Sequence, residues 1–293
     1  MSAGKRFRNA LSANKPLQIV GTINAYTALM ATKIGHSAIY ISGGACANAS
    51  YGLPDLGMTS MNDVLEDARR ITSVVDTPLL IDIDTGWGGA FNIARTIKES
   101  IRSGVAAVHM EDQVAQKRCG HRPNKEIVSK SEMVDRIKAA VDAKTDDDFF
   151  IMARTDSYAI EGLQASIDRA GAYIEAGADG IFAEAMAELD QYSAYDHAID
   201  APLLANMTEF GMTELFDKDA LAKHGVDMVL YPLTATRAMN KAAEMVYADV
   251  LEKGHQRDMV ESMQTRAELY DYLNYHDYED TLDNLFSKSQ SEK

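Results

Sequence analysis

Cysteine is almost missing from this chain: 293 residues hold two, Cys46 and Cys119. Two thiols in so long a chain make no disulfide framework and point to a reducing cytoplasm. Long apolar runs are missing too, which leaves no stretch fit to span a bilayer as a helix. Residues 1–17 carry Lys5, Arg6 and Arg8 but no apolar core behind them, so they predict a short amphipathic helix over 5–12, not a secretory signal. Positive charge is in deficit. With 29 Lys and Arg against 44 Asp and Glu, the net charge is −15. A field of that sign repels nucleic acid and anionic membrane, so neither is expected as a partner. It also makes any local cluster of cations informative.

What is present is a regular alternation. Short β-branched runs at 18–24, 38–42, 79–84, 107–111, 149–154, 180–184, 203–206 and 228–231 are nearly continuous in apolar residues, as parallel strands buried on both faces are. Between them lie segments of helical period, at 61–75, 92–104, 129–144, 163–177 and 220–225, several ending at a glycine: Gly104, Gly177, Gly225. Eight such units predict an α/β fold, a (β/α)8 TIM-type barrel. The competing open sheet usually carries a glycine-rich phosphate turn after its first strand. That position reads Thr22-Ile23-Asn24-Ala25-Tyr26, with no glycine pair. The whole of 1–293 reads as one barrel domain with a C-terminal helical extension from about 255, helical over 259–273 and 278–286 and rich in tyrosine.

Barrel chemistry collects at the carboxyl ends of the strands. Those ends carry Asn24 and Tyr26, Ser42-Gly43-Gly44, Asp82 and Asp84, Glu111-Asp112, Arg154 with Asp156, Glu184, Asn206 with Thr208, then Tyr231 followed by Arg237. Charged residues on apolar strands are rare unless paired or metal-bound. If Asp82 and Asp84 both lie in a strand, residues i and i+2 face the same side. Two carboxylates that close repel unless a proton or cation separates them. An all-oxygen pair suits a hard cation, Mg²⁺ or Mn²⁺. Glu111 and Asp55 could join directly or through water. Glycines at 43 and 44 would let backbone N–H groups approach a carboxylate.

The second concentration of chemistry is Lys117-Arg118-Cys119-Gly120-His121-Arg122-Pro123-Asn124-Lys125, four cations and no acid in an acidic chain. Such an island would gather an anionic substrate and favour the thiolate of Cys119. Lys117 and His121 are candidate catalytic neighbours of that thiol.

Lys117-Arg118-Cys119-Gly120-His121 resembles the signature of the isocitrate lyase and 2-methylisocitrate lyase group, within the phosphoenolpyruvate mutase superfamily. The Arg118 form resembles the methylisocitrate branch. The likeness extends over Ile41-Ser42-Gly43-Gly44, Gly52-Leu53-Pro54-Asp55, Glu111-Asp112-Gln113, Met152-Ala153-Arg154-Thr155-Asp156, Asn206-Met207-Thr208-Glu209-Phe210-Gly211 and Tyr231-Pro232-Leu233. It implies a barrel whose eighth helix is exchanged between subunits of a homotetramer. It implies Mg²⁺ on Asp82 and Asp84, with Asp55 and Glu111 near. It further implies substrate contacts from Ser42, Gly43, Gly44, Cys119, Gly120, Arg154, Glu184, Asn206, Met207, Thr208, Arg237 and Arg266. The implied reaction is cleavage of a small tricarboxylate to pyruvate and succinate, as in propionate catabolism, with Cys119 delivering a proton to carbon and Tyr26 or a metal-linked carboxylate taking one from the hydroxyl.

Isocitrate lyase activity and other activities of that superfamily, an oxaloacetate decarboxylase or a phosphonopyruvate-type enzyme, stand as alternatives. The latter do not need the cysteine loop. A Schiff-base aldolase would need a lysine within a strand, and none of the eight runs holds one. A non-catalytic barrel would have no use for a carboxylate pair beside a basic thiol loop.

Overall fold

In a computed structural model, which describes residues 1–290, the chain divides into two compact units, Met1–Thr236 and Arg237–Lys293. The first contains a closed barrel of parallel strands. They are β1 Leu17–Gly21, β2 Ala38–Ile41, β3 Leu79–Asp82, β4 Ala107–Glu111, β5 Phe150–Thr155, β6 Gly180–Ala183, β7 Leu203–Asn206 and β8 Met228–Tyr231. Each pairs with its neighbours in sequence, and β8 closes on β1 with Leu17 opposite Met228. All eight apolar runs are strands, four of them shorter than their runs. β1 stops at Gly21, three residues before Asn24 caps the next helix, and β3 stops at Asp82, before the left-handed turn at Asp84.

Strand alternation sorts the side chains into two layers. Ile39, Ile41, Leu79, Ile81, Val108, Met110, Ile151, Ala153, Ile181 and Val229 face outward, into the core shared with the surrounding helices. Leu17, Ile19, Tyr40, Leu80, Phe150, Met152, Phe182, Leu204, Met228 and Leu230 fill the barrel interior. Phe7, on the first helix Ala3–Ala13, joins that interior and stands 5.2 Å from Phe150, ring to ring. The same parity then carries Asp82, His109, Glu111 and Arg154 inward at the mouth.

The helices follow the amphipathic rule. Met61–Thr72 begins at Ser60, whose capping box with Asp63 satisfies the first N–H groups, and it buries Met61, Val64, Leu65, Ala68 and Ile71. Ala25–Ile34 and Leu189–Ala198 also form helices, although their apolar period is weak. They are capped by Asn24 and by Glu188 with Gln191, so capping and packing define them.

Thr234–Lys253 is a helix of 20 residues, of which all but the first three belong to the second unit. The stretch expected as one helix over 259–273 splits into a 3₁₀ segment, Arg257–Ser262, and the helix Arg266–Leu273. Thr265 and Glu268 cap the latter, which is why a new helix starts there. Tyr270 and Tyr275 stack at 4.1 Å.

Candidate active site

The carboxyl end of β3 is where the first polar cluster forms. Asp82 closes the strand, inside the barrel, and is buried. Asp84 does not share its strand, as the i, i+2 argument requires. It sits past the end with φ of +49°, and that left-handed turn swings its carboxylate back toward Asp82. Asp82 Oδ1 accepts the Asp84 backbone N–H at 2.8 Å, which fixes the turn. A Cβ added at Gly43 would fall 3.0 Å from Asp82 Oδ2 and 3.1 Å from Asp84 Oδ1. One at Gly44 would fall 3.0 Å from Asp55 Oδ2. So three carboxylates crowd the start of one helix, Gly43–Tyr51, capped by Ser42. The Gly43 N–H donates to Asp82 Oδ2 at 3.3 Å. The glycines serve close approach, to protein carboxylates in the first place.

The cluster's charge is answered by Lys117. Its ammonium stands 2.5 Å from Asp84 Oδ1 and 2.9 Å from Asp55 Oδ1, and its side chain is almost wholly buried. Burial opposes the lysine's charge, but Glu111, Asp82, Asp84 and Asp55 together outweigh it and raise its pKa well above the ordinary value. Burial and then the neighbouring Asp82 push Asp84 up to about 6. For Asp82 burial acts the same way, and His109, Lys117 and Arg154 reverse it, holding that carboxyl below the ordinary range.

Beneath Asp82 lies His109, fully buried. Tyr40 OH lies 2.8 Å from its Nε2, and its Nδ1 faces Asp82 Oδ1 at 3.7 Å. A Tyr40 hydroxyl donating to Nε2 leaves the ring proton on Nδ1, toward the carboxylate. Burial lowers the His109 pKa to about 4.

Glu111, also buried, does not join the aspartates directly. It faces Arg154, with Nε at 3.4 Å from Oε2, and neither of its oxygens accepts a hydrogen bond. Burial raises its pKa well above the ordinary value, against the pull of Arg154 and Lys117. Arg154 lies over the Phe182 ring at 5.1 Å, and its Nη2 is 3.5 Å from Glu184 Oε1. Glu184 Oε2 accepts from Asn206 Nδ2 at 3.3 Å. Met207 and Thr208 follow Asn206 and are buried.

The basic loop is seated on this group. A Cβ at Gly120 would meet Glu184 Oε1 at 2.0 Å and Arg154 Nη2 at 2.5 Å. His121 Nε2 is 3.3 Å from Glu184 Oε1, while its Nδ1 accepts the Met212 N–H at 3.0 Å. Gln113 grips the Arg118 backbone from both sides, donating to its carbonyl and accepting its N–H, each at 2.9 Å. Two features expected of the loop are corrected. It is no free cationic island, since Lys117 and Lys125 turn inward onto carboxylates, Lys125 Nζ lying 2.8 Å from Asp156 Oδ1; Arg118 and Arg122 are exposed. Nor do the cations favour a thiolate. Burial pushes the Cys119 thiol up; Asp55 and Glu184 add to this, and the His121 N–H and Arg154 only partly oppose it. Cys119 is held as S–H.

The first unit thus brings together Ser42, Gly43, Gly44, Asp55, Asp82, Asp84, Glu111, Lys117, Cys119, Gly120, His121, Arg154, Glu184 and Asn206. Tyr26 stands at the same mouth, in the first turn of helix Ala25–Ile34, half-buried. Arg237 and Arg266 belong to the second unit, and both are exposed. Sequence reasoning passed over His109, buried beneath Asp82, and the inward turn of Lys125. A histidine at an inward position of β4 was the available signal for the first.

A family model described as phosphoenolpyruvate phosphomutase matches residues 7–251. The chain belongs to the phosphoenolpyruvate phosphomutase family. Within it, a 2-methylisocitrate lyase of Shewanella oneidensis is 68% identical over 289 residues, covering 99% of each chain. A crystal structure of 2,3-dimethylmalate lyase, a member of the phosphoenolpyruvate mutase/isocitrate lyase superfamily, superposes with a TM-score of 0.89 at 31% identity, covering 97% of this chain and 95% of that one. A phosphonopyruvate hydrolase solved with oxalate and Mg²⁺ superposes at 0.84 and 28% identity, covering 97% and 99%. The family fold therefore carries several reactions, and the choice among them lies in the mouth residues.

Among the described residues, no three His, Cys, Asp or Glu side chains form a complete metal cage. Asp82, Asp84 and Glu111 are the oxygen donors that could hold a magnesium ion, with the Lys117 ammonium beside Asp84. Mg²⁺ is held through one or two carboxylates and keeps several waters. Here two aspartates converge above a glycine that leaves them room, and Glu111 has two buried oxygens without a hydrogen bond.

Proposed function

We propose that this chain is a 2-methylisocitrate lyase, cleaving its substrate to pyruvate and succinate. The observation that carries the reading is the seating of Cys119, Gly120 and His121 against Arg154 and Glu184, beside the Asp82–Asp84 pair, in a chain 68% identical to a 2-methylisocitrate lyase. Asp82 and Asp84 would hold Mg²⁺, with Asp55 and Glu111 near. When bound, the cation supplies Lewis-acid polarisation of the substrate's hydroxyl oxygen. Arg154 presents its guanidinium to a substrate carboxylate. Tyr26 or a carboxylate of the cluster takes the hydroxyl proton. The carbon–carbon bond then breaks, its electron pair passing to the succinate fragment. The Cys119 S–H returns one proton to that carbon, and the resulting thiolate is reprotonated by the group that took the first. An S–H held by burial, and not a thiolate, is the form this step requires.

The exposed Tyr247, Leu251, Tyr278, Leu282 and Leu285 of the second unit support assembly into a homotetramer with an exchanged eighth helix. Arg237 and Arg266 would contribute to substrate binding from there. No helix of the described residues is long and apolar enough to cross a membrane, in keeping with work in the cytoplasm on propionate-derived substrate.

The test is pyruvate release from 2-methylisocitrate beside isocitrate. One methyl in an apolar pocket yields roughly 10–200-fold selectivity. Isocitrate cleaved as efficiently as 2-methylisocitrate would overturn the substrate assignment in favour of isocitrate lyase.

A further inference from the structure

Asp156 has no part in the reaction as described, yet it is among the most thoroughly engaged groups near the site. It lies one residue beyond β5 and is fully buried. Its Oδ2 accepts from Arg154 Nε at 2.9 Å, and its Oδ1 accepts from Arg154 Nη2 at 3.2 Å. The same Oδ1 accepts from Lys125 Nζ at 2.8 Å. Its own backbone N–H donates to Asp112 Oδ1 at 2.9 Å, and Asp112 is held in turn by Thr155 and Tyr173. Burial works against the charge of Asp156, but Arg154 and Lys125 outweigh it and keep the carboxyl well below its ordinary range.

These two cations have different duties. Arg154 belongs to the mouth, with Nη2 toward Glu184 and Gly120. Lys125 ends the loop that carries Cys119. The loop is fastened at four places: Lys117 on Asp84 and Asp55, the Arg118 backbone on Gln113, Gly120–His121 on Glu184, and Lys125 on Asp156. Only the last joins the loop to the residue that orients Arg154. Arg118 and Arg122 are exposed.

We propose that Asp156 is a positioning residue: it fixes the plane of the Arg154 guanidinium and, through Lys125, anchors the return end of the Cys119 loop. One carboxylate thereby sets substrate binding and proton delivery in register. Lys125 is the anchor of the loop. The kinetic part of this inference rests on the lyase reading; the loop part does not.

Two variants separate the roles. Lys125→Met removes the loop anchor and leaves both Arg154 bonds to Asp156. Asp156→Asn turns an amide N–H₂ toward one of the cations and weakens both links. The first readout uses no substrate: cleavage after Arg118 by an arginine-specific protease, followed by mass spectrometry. Both variants should raise that rate about tenfold or more over wild type, since cleavage tracks the open population. The double variant should not exceed Asp156→Asn, because the anchor is common to both. The second readout is the kcat and KM split on 2-methylisocitrate with Mg²⁺. Lys125→Met should lower kcat on the order of 10²-fold, as for a group displaced by about 1 Å, with KM within about threefold. Asp156→Asn should lower kcat and also raise KM about tenfold or more. Wild-type cleavage rate and kcat in Lys125→Met would overturn the anchor. An unchanged KM in Asp156→Asn would overturn the orientation of Arg154. If Asp156→Asn does not fold, Arg154→Lys in place of it should show the raised KM with a wild-type cleavage rate, and raised cleavage there would overturn the division of roles. A wild-type enzyme inert on 2-methylisocitrate would refute the lyase reading, while the proteolysis arm would still decide the anchor.

Discussion

Adding one methyl group at Gly120 is the sharpest perturbation the site offers. The Cβ of Gly120→Ala would stand 2.0 Å from Glu184 Oε1, 2.6 Å from its Cδ and 2.5 Å from Arg154 Nη2. Ordinary contact begins near 3.4 Å, so something must give by 3.4 less 2.0, or about 1.4 Å. Glu184 cannot swing aside cheaply. It is 2% exposed and held by Asn206 at 3.3 Å, His121 at 3.3 Å and Arg154 at 3.5 Å. The loop must retreat, and Cys119 goes with it. The φ of Gly120 is not in the left-handed region, so contact alone, without backbone strain, carries the effect. A displacement of about 1 Å at a reacting group costs on the order of 10²-fold in rate, or about 2.7 kcal/mol. We expect kcat for Gly120→Ala to fall by that factor. The melting temperature should fall by only a few degrees, because the loop can retreat while the strands and helices that carry global stability stay packed. The assay is pyruvate release coupled to NADH oxidation by lactate dehydrogenase, beside a thermal melt. A Gly120→Ala enzyme within threefold of wild type would show that the loop does not seat on Glu184 during turnover.

Other consequences follow from the same residues. Cys119→Ser should bind substrate normally and lose about 10²–10⁴-fold in kcat, the usual share of a positioned acid; near-normal turnover would remove the thiol from proton delivery. Chelation with EDTA should abolish activity and Mg²⁺ or Mn²⁺ restore it, with Asp82→Asn beyond rescue at ordinary metal concentration; full activity in enzyme shown to be metal-free would end the cation's role. The buried His109, whose pKa burial pushes down to about 4 from an ordinary 6.5, adds an acid lability. A depressed histidine stays neutral in the fold while the unfolded chain takes up a proton. Its stabilising share is therefore intact above pH 6.5 and is lost as pH falls toward 4, about 3 kcal/mol in all. Denaturant melts at pH 7 and 4.5 should differ less in His109→Gln than in wild type; equal differences would mean that other groups set the acid limb.

Strand parity is the reason so much of the site was legible without coordinates. A run of apolar residues buried on both faces must be a parallel strand, and its last inward residue must face the mouth. Asp82, Glu111, Arg154 and Asn206 could therefore be placed at one mouth from strand position, while their roles and that of the thiol loop rest on the family resemblance. The closed order β1 to β8 follows from the count of such runs and the need to bury their edges. What the local pattern could not hold is any fact set by a partner distant in sequence. Asp84 reaches Asp82 through a left-handed turn, not through pleating. Lys117 and Lys125 look like solvated cations until the fold sets Asp55, Asp84 and Asp156 opposite them, 31 to 62 positions away. The Cys119 proton is decided the same way. Neighbours in sequence argue for a thiolate; burial, which belongs to the assembled barrel alone, keeps the proton on sulfur.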